Sequence, residues 1–180
     1  GSRDRYLRHF GDDFWQLDVP GWRLVALDTQ LLGSDLEAAA LQLDFLAKAV
    51  ASGDRRLALL VHKPLFDASP DETAVTGRFV SPSARHQLLA AFGERRPDVI
   101  LSGHVHQYRS TRAAGMHCVW APSTGFIIPD ARQPRYGEKE VGYVEHRFEP
   151  DGMHTHECVR VPGLKRLDIT EFAEAYAAKR

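Results

Sequence analysis

The sequence contains no asparagine, only two cysteines and no long apolar run. Two cysteines cannot build a disulfide framework, which excludes the small disulfide-stapled class of protein. No apolar stretch approaches the roughly 20 residues that a membrane-spanning helix requires, so we expect no membrane partner. Neither charge sign is in excess, because 23 Lys and Arg oppose 24 Asp and Glu for a net charge of -1. That balance offers no general attraction to nucleic acid.

At 180 residues, with 43% hydrophobic and 26% charged side chains, the chain has the size and composition of one folded domain. We therefore expect residues 1–180 to form a single domain. Gly1-Ser2 stands in place of an initiator methionine and is typical of a cloning scar, so this end carries no information on localisation. Nine histidines are the unusual count, and their positions carry the functional argument.

Continuous apolar runs predict strands that are covered on both faces of a sheet. They span residues 24–27, 57–61 and 99–101. Helical spacing predicts a helix between the first two runs, from a capping box at Ser34 and Glu37 to a stop at Gly53. A second helix, with Ser81 as its cap and Pro82 in its first turn, separates the last two runs. Strand–helix–strand order predicts parallel pairing in the sheet.

Turn residues predict hairpins at both ends of the chain. Val19-Pro20-Gly21 separates two strands near the start, and Asp151-Gly152 is a two-residue turn signal near the end. A further hairpin joins residues 107–111 to 116–120, and a terminal helix is expected over 170–180. The predicted fold class is therefore α/β, with a mixed parallel and antiparallel sheet. Long loops at 66–80 and 123–141 exceed ordinary connections and favour a functional role.

Histidines follow two neighbouring strands at the point where each strand ends. His62 comes directly after the run that ends at Val61, while His104 and His106 follow the run that ends at Leu101. Ligands bind at the carboxyl ends of strands in open α/β sheets. Neutral imidazole is the commonest side-chain donor for transition-metal ions. The sequence therefore predicts a metal site at this rim, formed by His62, His104 and His106.

A second group, His154, His156 and Cys158, alternates along the last predicted strand. A two-residue turn at Asp151-Gly152 places this group on a charged face with four residues: Glu145, Arg147, Glu149 and Arg160. That pairing predicts a solvated face rather than a metal site. The same pairing places the apolar side chains of the two strands, together with His146, on the inward face.

At the rim residues the sequence resembles the calcineurin-like metallophosphoesterase superfamily. Val61-His62-Lys63-Pro64 and Ser102-Gly103-His104-Val105-His106-Gln107-Tyr108 look like that family's fourth and fifth metal motifs, and Leu27-Asp28-Thr29 follows its order. The matching segments run from about residue 10 to residue 152. The resemblance implies the C-terminal half of a two-sheet sandwich flanked by helices.

The resemblance also implies a metal-dependent phosphoesterase. Family members hold two metal ions about 3.5–4 Å apart, and a hydroxide bound to the ions attacks phosphorus. Carried over by motif, His62 and His104 would ligate one ion and His106 the other, the ions being iron, manganese, zinc or similar. The implied partner is a phosphorylated small molecule or a phosphodiester. Further residues are candidate substrate contacts: Lys63, Arg78 and Tyr108.

The family's first metal motifs, Asp-x-His, Gly-Asp-x-x-Asp and Gly-Asn-His, are absent. A chain without asparagine cannot contain the third, and Gly11-Asp12-Asp13-Phe14-Trp15 departs from the second at Trp15. Because these motifs precede the others in the family, we expect about 60–100 residues to be missing upstream. The chain would then be one truncated domain, with no catalytic residue of its own.

The rim site contains three imidazoles and no carboxylate. We therefore expect this chain alone to bind at most one ion, weakly, and not to hydrolyse phosphoesters. Sheet surface left uncovered by the missing strands predicts self-association. Two alternatives remain open. One is a non-catalytic binding or scaffold module that retains the fold. The other is a structural domain stapled by a metal ion at His154, His156 and the cysteines, which would unfold in chelators.

Overall fold

Parallel strands form the middle of a six-stranded sheet in the computed structural model, which describes residues 2–172. The strands are β1 (Trp15–Val19), β2 (Trp22–Leu27), β3 (Arg56–Val61), β4 (Val99–Ser102), β5 (Arg109–Ala113) and β6 (Met116–Trp120). Their order across the sheet is β1-β2-β3-β4-β6-β5, with β1 and β5 antiparallel to their neighbours. The predicted mixed sheet and its apolar strands are confirmed.

Helices α2 and α3 pack on one face of this sheet. The helices of the described part are α1 (Ser2–Phe10), α2 (Glu37–Ala51) and α3 (Pro82–Ala91), followed by a 3-10 turn over Ile169–Phe172. Leu46 and Leu88 are fully buried in the core that α2 and α3 share with β2, β3 and β4. No helix of residues 2–172 combines the length and apolar character needed to cross a membrane.

Of the two helix caps predicted from the sequence, the structure contains one. Ser81 accepts the Ala84 N–H and caps α3 as expected. The capping box at Ser34 is wrong, because the Ser34 hydroxyl donates to the Leu31 carbonyl (2.7 Å) and α2 begins at Glu37 without a side-chain cap. Helix α1 was not expected from the sequence. Most of the helix predicted over 170–180 falls on 173–180, outside the described residues.

A second sheet covers part of the other face. It consists of β7 (Tyr143–Phe148) and β8 (His154–Val159), paired antiparallel. The Trp22 ring meets the Phe148 ring edge-on at 5.1 Å between centroids, and its indole N–H donates to the Glu149 carbonyl (3.1 Å). These contacts hold the two sheets together as a sandwich.

The register of β7 and β8 differs by one residue from the predicted one. The Glu149 N–H donates to the Met153 carbonyl (2.9 Å), so the loop is the three-residue Pro150-Asp151-Gly152 rather than a two-residue turn. Pro150 cannot donate to the strand ladder, and Gly152 takes the positive φ (+87°) that such loops require. A one-residue slip moves every side chain to the opposite face.

As a result, the predicted solvated face is wrong. His156 pairs with His146, and His154 pairs with Phe148, so these side chains share the face that meets the main sheet. The charged side chains Glu145, Arg147 and Glu157 occupy the outer face, where they are exposed.

Buried polar side chains fix the two long loops. Arg85 is 2% exposed, and its guanidinium donates to backbone carbonyls of the first loop and its flanks: Leu65, Pro70, Glu72 and Val80. Gln107 is fully buried and ties the second loop by accepting the N–H groups of Tyr136 and Gly137 (2.7 and 2.8 Å). Both loops are therefore ordered where they approach the carboxyl ends of the parallel strands.

Candidate metal centre

His62 and His104 meet at the carboxyl ends of β3 and β4. His62 follows Val61, the last residue of β3, and the Gly103 N–H donates to the His62 carbonyl (3.0 Å). This backbone bond extends the parallel pairing one step beyond the strands. The His104 Nδ1 atom then lies 3.0 Å from the His62 Nε2 atom. The predicted convergence of these two side chains is present.

The chain after β4 adopts an uncommon backbone. His104 and His106 both have positive φ, at +64° and +54°. Positive φ is costly for residues other than glycine, and such positions concentrate at functional sites. Val105 between them is fully buried against Phe79 and Trp120. The buried Val105 side chain thus holds the turn in place.

The long loops supply backbone acceptors to two of these histidines. His104 Nε2 lies 3.1 Å from the Gly77 carbonyl in the first loop. His106 Nδ1 lies 3.3 Å from the Phe126 carbonyl in the second. A hydrogen bond from one ring nitrogen sets the tautomer and leaves the other nitrogen free to ligate a metal. These carbonyls were not identified from the sequence.

Burial favours the neutral form of His62 and His106 by lowering the pKa of each. It lowers the pKa of His62, and the neighbouring His104 and Lys63 lower that pKa further, whereas Asp28 opposes them. Burial also lowers the pKa of His106, against the Phe126 carbonyl. Neutral imidazole is the form that binds a metal ion.

Carboxylates approach the rim on the β2 side. Asp28 directly follows β2, and it lines a cavity of about 570 Å³ together with His62 and Asp13. Asp13 is held by a salt bridge to Arg3 of α1 (2.7 Å), while Asp28 accepts the Gln30 N–H (2.8 Å). Sequence reasoning did not assign these carboxylates a role, although Asp28 satisfies the strand-end rule that located His62.

The predicted substrate contacts divide between two places. Arg78 lines a cavity of about 390 Å³ with His104 and Arg132. The Lys63 N–H donates to the Thr29 hydroxyl (3.2 Å), next to Asp28 in the chain. Tyr108 lies elsewhere, because its ring is near that of His156 in the second sheet, 6.3 Å between centroids.

His106 does not complete a compact three-donor cluster with His62 and His104. Within residues 2–172, a different group meets that criterion: His117, His154 and His156. One donor atom from each of these side chains lies within 4.8 Å of those of the other two. The sequence did not predict that trio.

Comparison with known proteins identifies the fold. No family model and no curated protein matches the sequence. The structure is similar to GAP50, the anchor in the inner membrane complex of Plasmodium, with a TM-score of 0.57, 14% identity and coverage of 93% of this chain and 59% of GAP50. It is also similar to purple acid phosphatase PPD1 from yellow lupin seeds, with a TM-score of 0.52, 17% identity and coverage of 88% of this chain and 32% of the phosphatase.

The chain thus spans 59% of the length of GAP50 and 32% of that of the phosphatase. At these identities the similarity concerns the fold alone. The chain has an α/β fold similar to those of GAP50 and the purple acid phosphatase, in which a mixed six-stranded sheet and a second sheet are flanked by helices.

Proposed function

We propose that the chain is the C-terminal part of a metal-dependent phosphoesterase. His62 and His104 would hold one ion, His106 would contribute to a second, and the remaining ligands would come from segments outside this sequence. The observation that carries the proposal is the 3.0 Å approach of His104 Nδ1 to His62 Nε2 at the carboxyl edge of the parallel strands.

The donor pair suits a transition-metal ion. Zinc–nitrogen bonds of about 2.0–2.1 Å in tetrahedral geometry place two donor nitrogens about 3.3 Å apart. The 3.0 Å separation needs a small ring movement to reach that spacing. Without a carboxylate ligand among these donors, the positive charge of an ion is poorly compensated, so we expect the present chain alone to hold one weakly bound ion at this rim and the second ion to need the remaining ligands.

The surrounding residues favour an anionic substrate. Metal ions, when bound, would polarise the phosphoryl group and supply a nucleophile at neutral pH. Arg78 and Arg132 line the cavity beside His104, where their charges attract a phosphoryl group. The Gly77 and Phe126 carbonyls orient the His104 and His106 rings.

A non-catalytic binding or scaffold module is the second candidate. The absence of the family's carboxylate-bearing motifs favours it. The structural similarity to GAP50, described as an anchor, is compatible with it. In that case the fold would persist without hydrolysis.

The test compares the full-length protein encoded by the gene with the present chain. We expect the full-length protein to hydrolyse p-nitrophenyl phosphate in Mn²⁺ and the present chain not to. His104→Ala should lower the full-length activity by at least about 100-fold, because loss of even an outer-shell partner costs about 10–100-fold. His86→Ala, at an exposed position on α3, is the control. An inactive full-length protein, or activity that survives His104→Ala, would contradict the proposal and favour the scaffold.

A further inference from the structure

A separate group of histidines lies between the two sheets, at the opposite end of β4 from the rim. His117 on β6 pairs with Val99, the first residue of β4. Its ring meets those of His154 and His156 on β8, with centroids 5.7 and 5.1 Å away. One donor atom from each of the three lies within 4.8 Å of the other two. Imidazoles from both sheets therefore converge on one point.

His154 has a buried ring nitrogen with no hydrogen-bond partner. Its Nε2 atom lies 3.1 Å from His146 Nδ1, while its own Nδ1 atom is buried and unpaired. The tautomer in which His154 Nε2–H donates to His146 leaves a lone pair on His154 Nδ1. A buried polar atom without a partner costs free energy. A metal ion bound to this lone pair would remove that cost.

The other ring contacts also suit metal ligation. The Ser110 hydroxyl lies 2.9 Å from His117 Nε2 and fixes the orientation of that ring. Outer-shell partners of this kind, like His146 beside His154, hold metal-binding imidazoles in place.

Electrostatics favour neutral imidazoles at this place. Burial lowers the pKa of His117 and His156, and it lowers the pKa of His154 to about 4. Arg112, opposite His117 on β5, opposes a cation. The site therefore requires an ion that imidazole binds strongly, which favours a late first-row divalent ion such as Zn²⁺.

The cysteines do not contribute to this cluster. Cys118 points to the helix-covered side of the main sheet, where it packs in the core and burial raises its pKa to about 11. Cys158 lies opposite Val144, farther along β8.

We propose that His117, His154 and His156 form a Zn²⁺ site that ties the β7–β8 hairpin to the main sheet. His146 and Ser110 are positioning residues, and water completes the coordination. Tetrahedral zinc requires donor nitrogens about 3.3 Å apart, so the three rings, whose donor atoms lie within 4.8 Å of one another, would rotate toward the ion on binding. The ion would act as a structural staple, independent of any ion at the rim.

Two measurements on the whole chain test the proposal. Equilibrium dialysis against Zn²⁺ followed by elemental analysis gives the number of bound equivalents, and thermal unfolding gives the change in Tm that Zn²⁺ produces. We expect His117→Gln and His156→Gln each to lose one equivalent of Zn²⁺ and the rise in Tm that Zn²⁺ produces. The double variant His62→Ala/His104→Ala should keep that equivalent and that rise in Tm. His86→Gln, on the exposed surface of α3, is the matched control.

His146 provides a readout that loss of packing alone would not give. His146→Gln keeps an acceptor for His154 Nε2–H and should bind Zn²⁺ nearly as the parent does. His146→Phe removes the acceptor and should bind about 10–100-fold more weakly.

Binding of Co²⁺ to the unsubstituted chain tests the site even if a histidine variant unfolds. Co²⁺ bound to the unsubstituted chain should show the visible absorption of a tetrahedral ion, and the rim double variant should retain it. The proposal is overturned if the chain binds no Zn²⁺, or if the rim double variant abolishes both the bound equivalent and the Co²⁺ spectrum. Equal Zn²⁺ binding by the parent and His117→Gln would overturn it as well.

Discussion

The imidazole of His104 meets that of His62 edge-on, with ring centroids 4.7 Å apart and ring planes at 72°. The two rings belong to residues that follow adjacent parallel strands, and the Gly103-to-His62 backbone bond fixes their separation. Sheet pairing therefore brings the two residues to one edge of the sheet, and the positive-φ turn after β4 orients the His104 ring toward His62. Substituting either ring should leave the fold intact, so effects on metal binding can be attributed to the lost donor.

The β5–β6 turn carries avoidable strain. Ala114 and Gly115 both have positive φ (+48° and +79°), as a two-residue type I′ turn requires. Asparagine tolerates this conformation better than alanine, and Asn-Gly is the preferred pair. Ala114→Asn should therefore raise the free energy of unfolding by about 0.5–1 kcal/mol, measured by urea denaturation. Ala114→Val should lower it, and equal stability of the two variants would contradict this interpretation of the turn.

Glu72 in the first long loop makes the stability of the protein depend on pH. Burial acts to raise the Glu72 pKa, but hydrogen bonds from the backbone N–H groups of Asp67, Ala68 and Ser69 outweigh it, so the pKa lies below its ordinary value. The carboxylate therefore stabilises the native state above the unfolded value of 4.5, and this contribution is lost as the pH falls through the lower folded pKa.

Glu72→Gln should accordingly lower the free energy of unfolding at neutral pH by about 1 kcal/mol. The difference from the parent should shrink below pH 4.5, the ordinary value for the carboxyl group. Urea denaturation at both pH values measures the effect, with Glu94→Gln on an exposed position as control. A difference that does not change with pH would show that the carboxylate charge is unimportant.

The β1 edge favours self-association. Trp15 and Leu17 on this strand are 40% and 51% exposed, and no strand of residues 2–172 pairs with its outer edge, which offers backbone groups to a second copy. Light scattering should detect an oligomer that Leu17→Lys dissociates. Leu41→Lys, at a similarly exposed leucine on α2, should leave it intact. A monomeric parent chain would refute this prediction.

Strand ends were predictable from the sequence because the signal is local. The apolar run before His62 and the Gly103 exit before His104 place both rings at one edge of a parallel sheet, whatever the loops do. Asp28 follows β2 in the same way. The backbone acceptors at Gly77 and Phe126 were not predictable, because they depend on the paths of long loops rather than on side-chain type.

The sequence did not predict the inter-sheet cluster for two physical reasons. Asp151-Gly152 is a strong two-residue turn signal, but the loop includes Pro150, which cannot donate to the ladder. Adding that residue moves His154 and His156 from solvent to the sheet interface. His117, the third donor, lies 37 residues before His154 and joins it only in the folded chain.

Anomalous diffraction from crystals of this chain soaked in Mn²⁺ would show whether His62 and His104 hold an ion. We expect a peak that contacts both His62 Nε2 and His104 Nδ1, and we expect the peak to disappear in His62→Ala. Ordered rings at their present 3.0 Å separation with no peak beside them would contradict the assignment of this rim as a metal centre.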